Sequence, residues 1–266
     1  LSQDPPPFLP EYRGTSLFRF KDLEAAKDRN VTQSFLVQVY SVEAQVEASR
    51  VVAKPAAGGE VMKAYLGPDQ WVPVDAPEIK ELARKVGGSE RNPWRYSRLV
   101  WDWLVKNVAW NPATELARPQ EAIAKKSADS YSYALLTCAL LRAGGVPSVP
   151  VAGYIVDARR NAARHYWVEI YLYGLGWVPL DPVLGTGALP GEIEPAWEDR
   201  SRYFGGLDNR HIAFGRGVKI LAPMTPAGRR AAKERRWSFQ SFFEEASGGL
   251  EGYTSYWGDI EVTGMY

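Results

Sequence analysis

The sequence predicts an α+β protein: a helix buried on all sides, packed on an antiparallel sheet, behind an N-terminal β lobe. Three observations carry this. Residues 130–143 are apolar all round, through Ala134, Leu135, Leu136, Cys138, Ala139, Leu140 and Leu141, and such a helix has to be covered on every face. Three strand-like stretches follow at 148–156, 166–173 and 177–180. The polar stretch 157–164 separates the first two and a Gly174-Leu175-Gly176 turn the last two. Finally, residues 33–52 alternate as strands do, with Phe35, Val37 and Val39 against Leu36, Gln38 and Tyr40.

The elements fall in order along the chain. Residues 1–14, with Pro5-Pro6-Pro7 and Pro10, form an extended leader. Residues 15–73 form the β lobe, with a further strand at 61–66 before Gly67-Pro68 turns the chain. Asp75 is placed to cap a helix that carries Pro77 near its start, and Ile79, Leu82, Ala83 and Val86 make its apolar face. Asn92-Pro93 opens the next helix, whose stripe is Leu99, Val100, Trp103, Leu104 and Val108. A short helix at 119–126 leads to the buried one, which Gly144-Gly145 and Pro147 end. The core spans 74–222. Residues 223–266 form an aromatic extension packed on it, basic from Arg229 to Arg236 as the solvated face of a helix, with a last strand at 253–266.

Composition excludes several classes. With 45% hydrophobic and 24% charged residues the chain reads as globular, and a net charge of +1 gives no footprint for nucleic acid or an anionic membrane. Its longest apolar stretches fall short of a membrane span. One cysteine excludes an intramolecular disulfide, and two histidines without a His-x-x-x-His pair argue against a catalytic zinc. No phosphate loop or G-x-G-x-x-G is present, so neither a metal nor a cofactor is expected. The chain begins at Leu1 without a recognisable signal peptide, and an extracytoplasmic location, periplasmic or exported, is favoured over a cytoplasmic one. The oligomeric state is left open.

Chemistry concentrates in one ordered set. Ser130 opens the buried helix, His165 opens a strand, and Asp181 closes the next strand beyond a glycine turn. Acyl transfer needs a nucleophile, a base within hydrogen-bond reach and a group that orients the base. A helix N-terminus adds free N–H groups and a dipole that favours a developing oxyanion. Trp110, Tyr131, Trp167 and His211 are candidates to line the cleft or to donate to that oxyanion. His211 follows the polar turn Leu207-Asp208-Asn209-Arg210 and enters a strand.

Around these residues stand Ser130-Tyr-Ser-Tyr133-Ala134, Leu140-Leu-Arg-Ala-Gly-Gly145-Val-Pro147, Val151-Ala-Gly-Tyr154, His165-Tyr-Trp167-Val-Glu169 and Gly176-Trp177-Val-Pro-Leu-Asp181-Pro182. Taken together, they resemble the transglutaminase-like superfamily of papain-like proteins, in its compact bacterial form. The resemblance implies a papain-like fold and a nucleophile–His–Asp triad at Ser130, His165 and Asp181. It further implies action on peptide or protein amides, cell-wall peptides among them. Compact relatives are more often amide hydrolases or proteases than crosslinkers.

The family's nucleophile is cysteine, and here it is Ser130. A thiol beside histidine ionises near neutrality, whereas a serine hydroxyl must lose its proton as it attacks. Ser130 therefore has three readings. It is a working nucleophile, or a natural loss of catalysis that keeps a pocket for peptide or cell-wall glycopeptide, or a Cys→Ser change made in the laboratory. Cys138 does not replace it, lying about 12 Å further along the helix among apolar neighbours.

Overall fold

The computed structural model describes the chain apart from residues 1, 5, 8, 13–14, 22, 25, 53–62, 115–117, 219–228, 232–238, 240–243 and 247–253. It divides into two units, 1–39 and 40–266, so the boundary falls inside the lobe expected over 15–73. In the first unit, β1 (Ser2–Asp4), β2 (Leu9–Tyr12), β3 (Thr15–Leu17) and β4 (Thr32–Ser34) pair antiparallel, β1 with β4 and β2 with β3. The expected leader thus supplies two strands. The alternating stretch 33–52 keeps only β4 and, in the second unit, β5 (Val42–Glu43). Phe35, Leu36, Val37 and Tyr40 are all exposed, so no buried face fixes a longer pairing. Residues 61–62 lie outside the described ones, and 64–66 form a turn instead of the expected strand.

The second unit is built around the helix that was expected to be buried. Helix α1 (Pro77–Gly87) has Ala76 at its N-cap with no side-chain cap. Asp75, expected there, pairs with Lys80 instead. Helix α2 (Pro93–Asn107) is capped as expected by Asn92, whose side chain accepts from the Trp94 and Arg95 N–H groups. Its buried face is rotated from the expected stripe: Tyr96, Val100, Trp101 and Leu104 point inward, while Leu99 stays 40% exposed. Trp101 lies so close to Gly185 that a Cβ there would meet its ring at 2.3 Å.

Strand β6 (Ala109–Trp110), helix α3 (Pro119–Lys125) and β7 (Ser127–Ala128) lead to helix α4 (Ser130–Ala143). Residues 130–142 of α4 are all buried. Tyr133 shares its hydroxyl proton between the Leu104 and Val108 carbonyls and Tyr96 donates to the Leu140 carbonyl, while the Ser132 hydroxyl is buried without a partner. Arg142 donates to the Ser148 carbonyl and pairs with Asp69 at 2.8 Å. Burial pushes the Cys138 thiol up to about 12, which keeps it a structural group.

Against α4 lies a four-stranded antiparallel sheet of β8 (Ser148–Val156), β9 (Ala162–Leu172), β10 (Gly176–Leu180) and, beyond β11 (Gly206–Leu207), β12 (His211–Arg216). The spatial order is β10-β9-β8-β12. Strand alternation separates two faces. Tyr166, Val168, Ile170 and Leu172 of β9 join the core around α4, and His165 and Trp167 point the other way. Helix α5 (Pro182–Gly185) follows β10.

In the expected aromatic extension, β13 (Arg229–Ala231) pairs with β14 (Glu244–Ala246). Arg229 and Arg230, expected on a helix, are therefore in a strand; Lys233, Arg235 and Arg236 lie outside the described residues. Residues 254–266 are not a strand. Within them, Asp259 accepts from Tyr154 and Arg164. No described helix is long and apolar enough to cross a membrane.

Candidate functional site

Register builds the site. Leu180 of β10 pairs with Val168 of β9, and Gly153 of β8 with His165. Asp181, the next residue after Leu180, therefore emerges on the face of His165 and Trp167. His211, paired through Ile155 to Ala163, opens β12 on that same face. Gly153 is needed for this arrangement. A Cβ at that position would sit 2.8 Å from the Trp167 ring and 2.1 Å from the Ile212 carbonyl oxygen.

The result is a buried polar chain. His165 Nε2 lies 2.6 Å from Asp181 Oδ2, and His211 Nε2 lies 3.1 Å from the same oxygen. The Leu184 N–H donates to Asp181 Oδ1 at 3.1 Å. On its other side, His211 Nδ1 meets Asp208 Oδ1 at 2.7 Å. Asp208 also accepts from the Tyr203 hydroxyl at 2.7 Å and from the Ala196 and Arg210 N–H groups. Trp167 stacks beside His165 and stands edge-on to His211. His165, Asp181, Asp208 and His211 are all buried.

Electrostatics follow from these contacts. Burial raises the Asp181 carboxyl, but His165 and His211 outweigh it and hold it well below the usual carboxylate range. Burial likewise opposes ionisation of Asp208, yet the His211 and Tyr203 hydrogen bonds bring it to about 2. For His211, burial disfavours the cation, and the two carboxylates reverse this, pushing it up to about 9. Ionised carboxylates only accept hydrogen bonds, so His165 carries its proton on Nε2. His165 Nδ1 is buried and makes no hydrogen bond.

Ser130 is the first residue of α4, and Asp129 is its N-cap. This explains the carboxylate beside the candidate nucleophile: Asp129 Oδ1 accepts from the Ser132 N–H at 2.8 Å. Ser130 is 9% exposed. The chain neighbours of Ser130 and His165 are in contact, the Tyr131 and Tyr166 rings meeting edge-on at 5.2 Å. Phe239 is 1% exposed and stacks on Tyr131 at 4.8 Å while standing edge-on to Tyr166. No hydrogen bond joins Ser130 to His165, so the expected contact of the imidazole with both partners is present for Asp181 alone.

The other candidates separate. Trp167 and His211 join the polar chain, while Tyr131 lies on the opposite face with Tyr166. Trp110 pairs through β6 and β7 with Ala128, two residues before Ser130, and its Nε1 is buried without a partner. It also lines a cleft of about 520 Å³ with Lys106, Lys126 and Thr186, which includes none of Ser130, His165 and Asp181. Sequence reasoning missed Asp208 and Tyr203 as members of the site. The Asp208-x-x-His211 spacing across a polar turn was the available signal for the first.

His165, Asp181 and His211 offer three potential ligand atoms within 4.8 Å of one another. We assign none as a metal ligand. Each of the three atoms lies within hydrogen-bond distance of another of the trio.

Comparison with known proteins bears on this arrangement. The family model for the transglutaminase-like superfamily matches residues 80–182, a span that includes Ser130, His165 and Asp181 and ends before Asp208 and His211. An uncharacterized protein of Haemophilus influenzae is 26% identical, over 39% of this chain and 35% of its own length. Among solved structures, a proposed cysteine protease of Cytophaga hutchinsonii aligns with a TM-score of 0.48 at 18% identity, over 66% of this chain and 53% of that one. The periplasmic domain of TgpA from Pseudomonas aeruginosa aligns with a TM-score of 0.39 at 20% identity, over 48% of each chain. The chain thus spans about a third of the Haemophilus protein and about half of each solved chain.

Proposed function

We propose, from the membership of residues 80–182 in the transglutaminase-like superfamily, that this protein performs acyl transfer or hydrolysis at peptide or protein amides, with Ser130 as nucleophile. The observation that carries this reading is the buried His165–Asp181 pair. Its Nε2 end is held at 2.6 Å, and its Nδ1 end is left without a hydrogen bond. An imidazole so oriented has one basic atom to offer a hydroxyl.

The first step requires Ser130 and His165 to be brought into contact; Ser130 Oγ then attacks the amide carbonyl carbon and its proton passes to His165 Nδ1. The carbonyl π pair moves onto oxygen. As the C–N bond breaks, the Nδ1 proton goes to the leaving amine, and water or a second amine then takes the acyl group by the reverse course. Asp181 holds the imidazole in its tautomer throughout. The Ser130 N–H at the start of α4 and the Trp110 indole N–H are the donors we assign to the oxyanion.

The missing Ser130–His165 hydrogen bond favours a second reading, a binding module for peptide or cell-wall glycopeptide. A fluorophosphonate probe separates the two. The enzyme reading expects one adduct, located at Ser130 by peptide mapping and absent in Ser130→Ala. An unlabelled native protein whose Ser130→Ala variant binds peptide or glycopeptide with native affinity would establish the binding module.

A further inference from the structure

The polar chain does not stop at the carboxylate of the proposed triad. Asp181 Oδ2 receives two imidazoles, and the second is gripped on its far side by Asp208 at 2.7 Å. A neutral imidazole has a single N–H, so between two acceptor-only carboxylates it would leave one lone pair facing another. Only the imidazolium satisfies both contacts. We propose that His211, clamped between Asp208 and Asp181, is a positioning residue that anchors Asp181 and offsets part of its charge, so that His165 enters the reaction as a neutral base. The inference rests on the reading of Ser130 as nucleophile.

Charge placement supplies the reason. Asp208 and His211 form a dipole whose positive end faces Asp181 and, 5.9 Å between ring centres, His165. The His211 cation offsets part of the Asp181 charge that lies 2.6 Å from His165 Nε2. A cysteine nucleophile gains from a charged histidine, because the thiolate waits as half of an ion pair. A serine gains nothing from one, because its proton needs an empty nitrogen to receive it. The extra cation therefore suits the residue that stands at position 130.

Among the described residues, the titratable groups facing His165 and His211 on this side of the sheet are Asp181 after β10, Asp208 before β12 and Tyr203. The Tyr203 hydroxyl is pushed far up by burial and by its bond to Asp208, and stays a neutral donor. Arg164, next to His165, is paired with Asp259, and Tyr166 lies on the α4 face.

The chain has only two histidines, so nitrogen-15 spectra of the histidine-labelled protein read both rings directly. At neutral pH, His211 is expected to show two protonated nitrogens and His165 one, on Nε2. A singly protonated His211, or a doubly protonated His165, would overturn the proposal. His211→Gln keeps a donor for Asp181 but removes the charge. In it the acid limb of Ser130 labelling by fluorophosphonate should move up by about one pH unit, and an unmoved limb would equally overturn the proposal. Should that variant not fold, Asp208→Asn should make His211 lose its second proton at lower pH than in the native protein, and an unchanged His211 titration would overturn the proposal. If native Ser130 takes no label at all, the enzyme reading fails by itself, while the nitrogen spectra still decide the state of His211.

Discussion

The two faces of the central sheet are built from alternate residues of the same strands, yet they are held together differently. Toward α4, Tyr166, Val168, Ile170 and Leu172 meet Ala134, Leu135, Leu136 and their neighbours in a dry core. On the other face His165, Asp181, His211, Asp208 and Tyr203 form one continuous hydrogen-bonded chain, equally buried. The first face is stabilised by apolar area and close packing, which tolerate moderate repacking. The second depends on every donor meeting an acceptor, and one lost partner leaves a buried charge uncompensated. Packing on one side therefore carries stability, and the polar chain on the other carries stability together with the proton chemistry we propose.

The largest effect expected from this contrast is on reactivity. His165→Ala should lower Ser130 labelling by about 10²- to 10⁴-fold, the usual range for loss of a general base. Labelling kinetics at fixed pH check it, and a native rate would detach His165 from the site.

The apolar face should respond the other way. Leu136→Ala should cost about 2–5 kcal/mol of stability, read from urea unfolding, and leave the pH profile of labelling in its native position. A displaced profile would show that the two faces are coupled and that the division drawn between them is wrong.

The smallest effect is a slope in stability with pH. His211 sits at about 9 when folded, above an unfolded value of about 6.5. Its contribution is full below about 6.5 and is lost as pH rises through about 9. Asp208, at about 2 against about 3.9 unfolded, contributes above about 3.9 and loses that as pH falls through about 2. The urea midpoint should therefore decline between pH 6.5 and 9, and His211→Gln should flatten the decline. An equal slope in both proteins would mean that His211 is not charged in the fold.

Residues 130–182 determine much of this protein without help from the structure. The all-apolar stretch after Ser130 dictates a buried helix, and the glycine turn between β9 and β10 dictates antiparallel neighbours that bring Asp181 beside His165. Both follow from local periodicity and turn chemistry, which the chain carries residue by residue. The superfamily resemblance over the same span agrees with the matched family core.

Where the environment beyond the local stretch decides, sequence reading failed. The inward face of α2 includes Trp101, which closes on Gly185, a contact that no spacing within the helix reveals. The strands expected at 33–52 are shorter, and Phe35, Leu36, Val37 and Tyr40 there are exposed. Above all, only tertiary structure brought Asp208 and His211 to Asp181, through the pairing of β12 with β8. Hydrogen bonding between distant residues depends on register and direction in three dimensions. A sequence specifies these only once the whole sheet has formed.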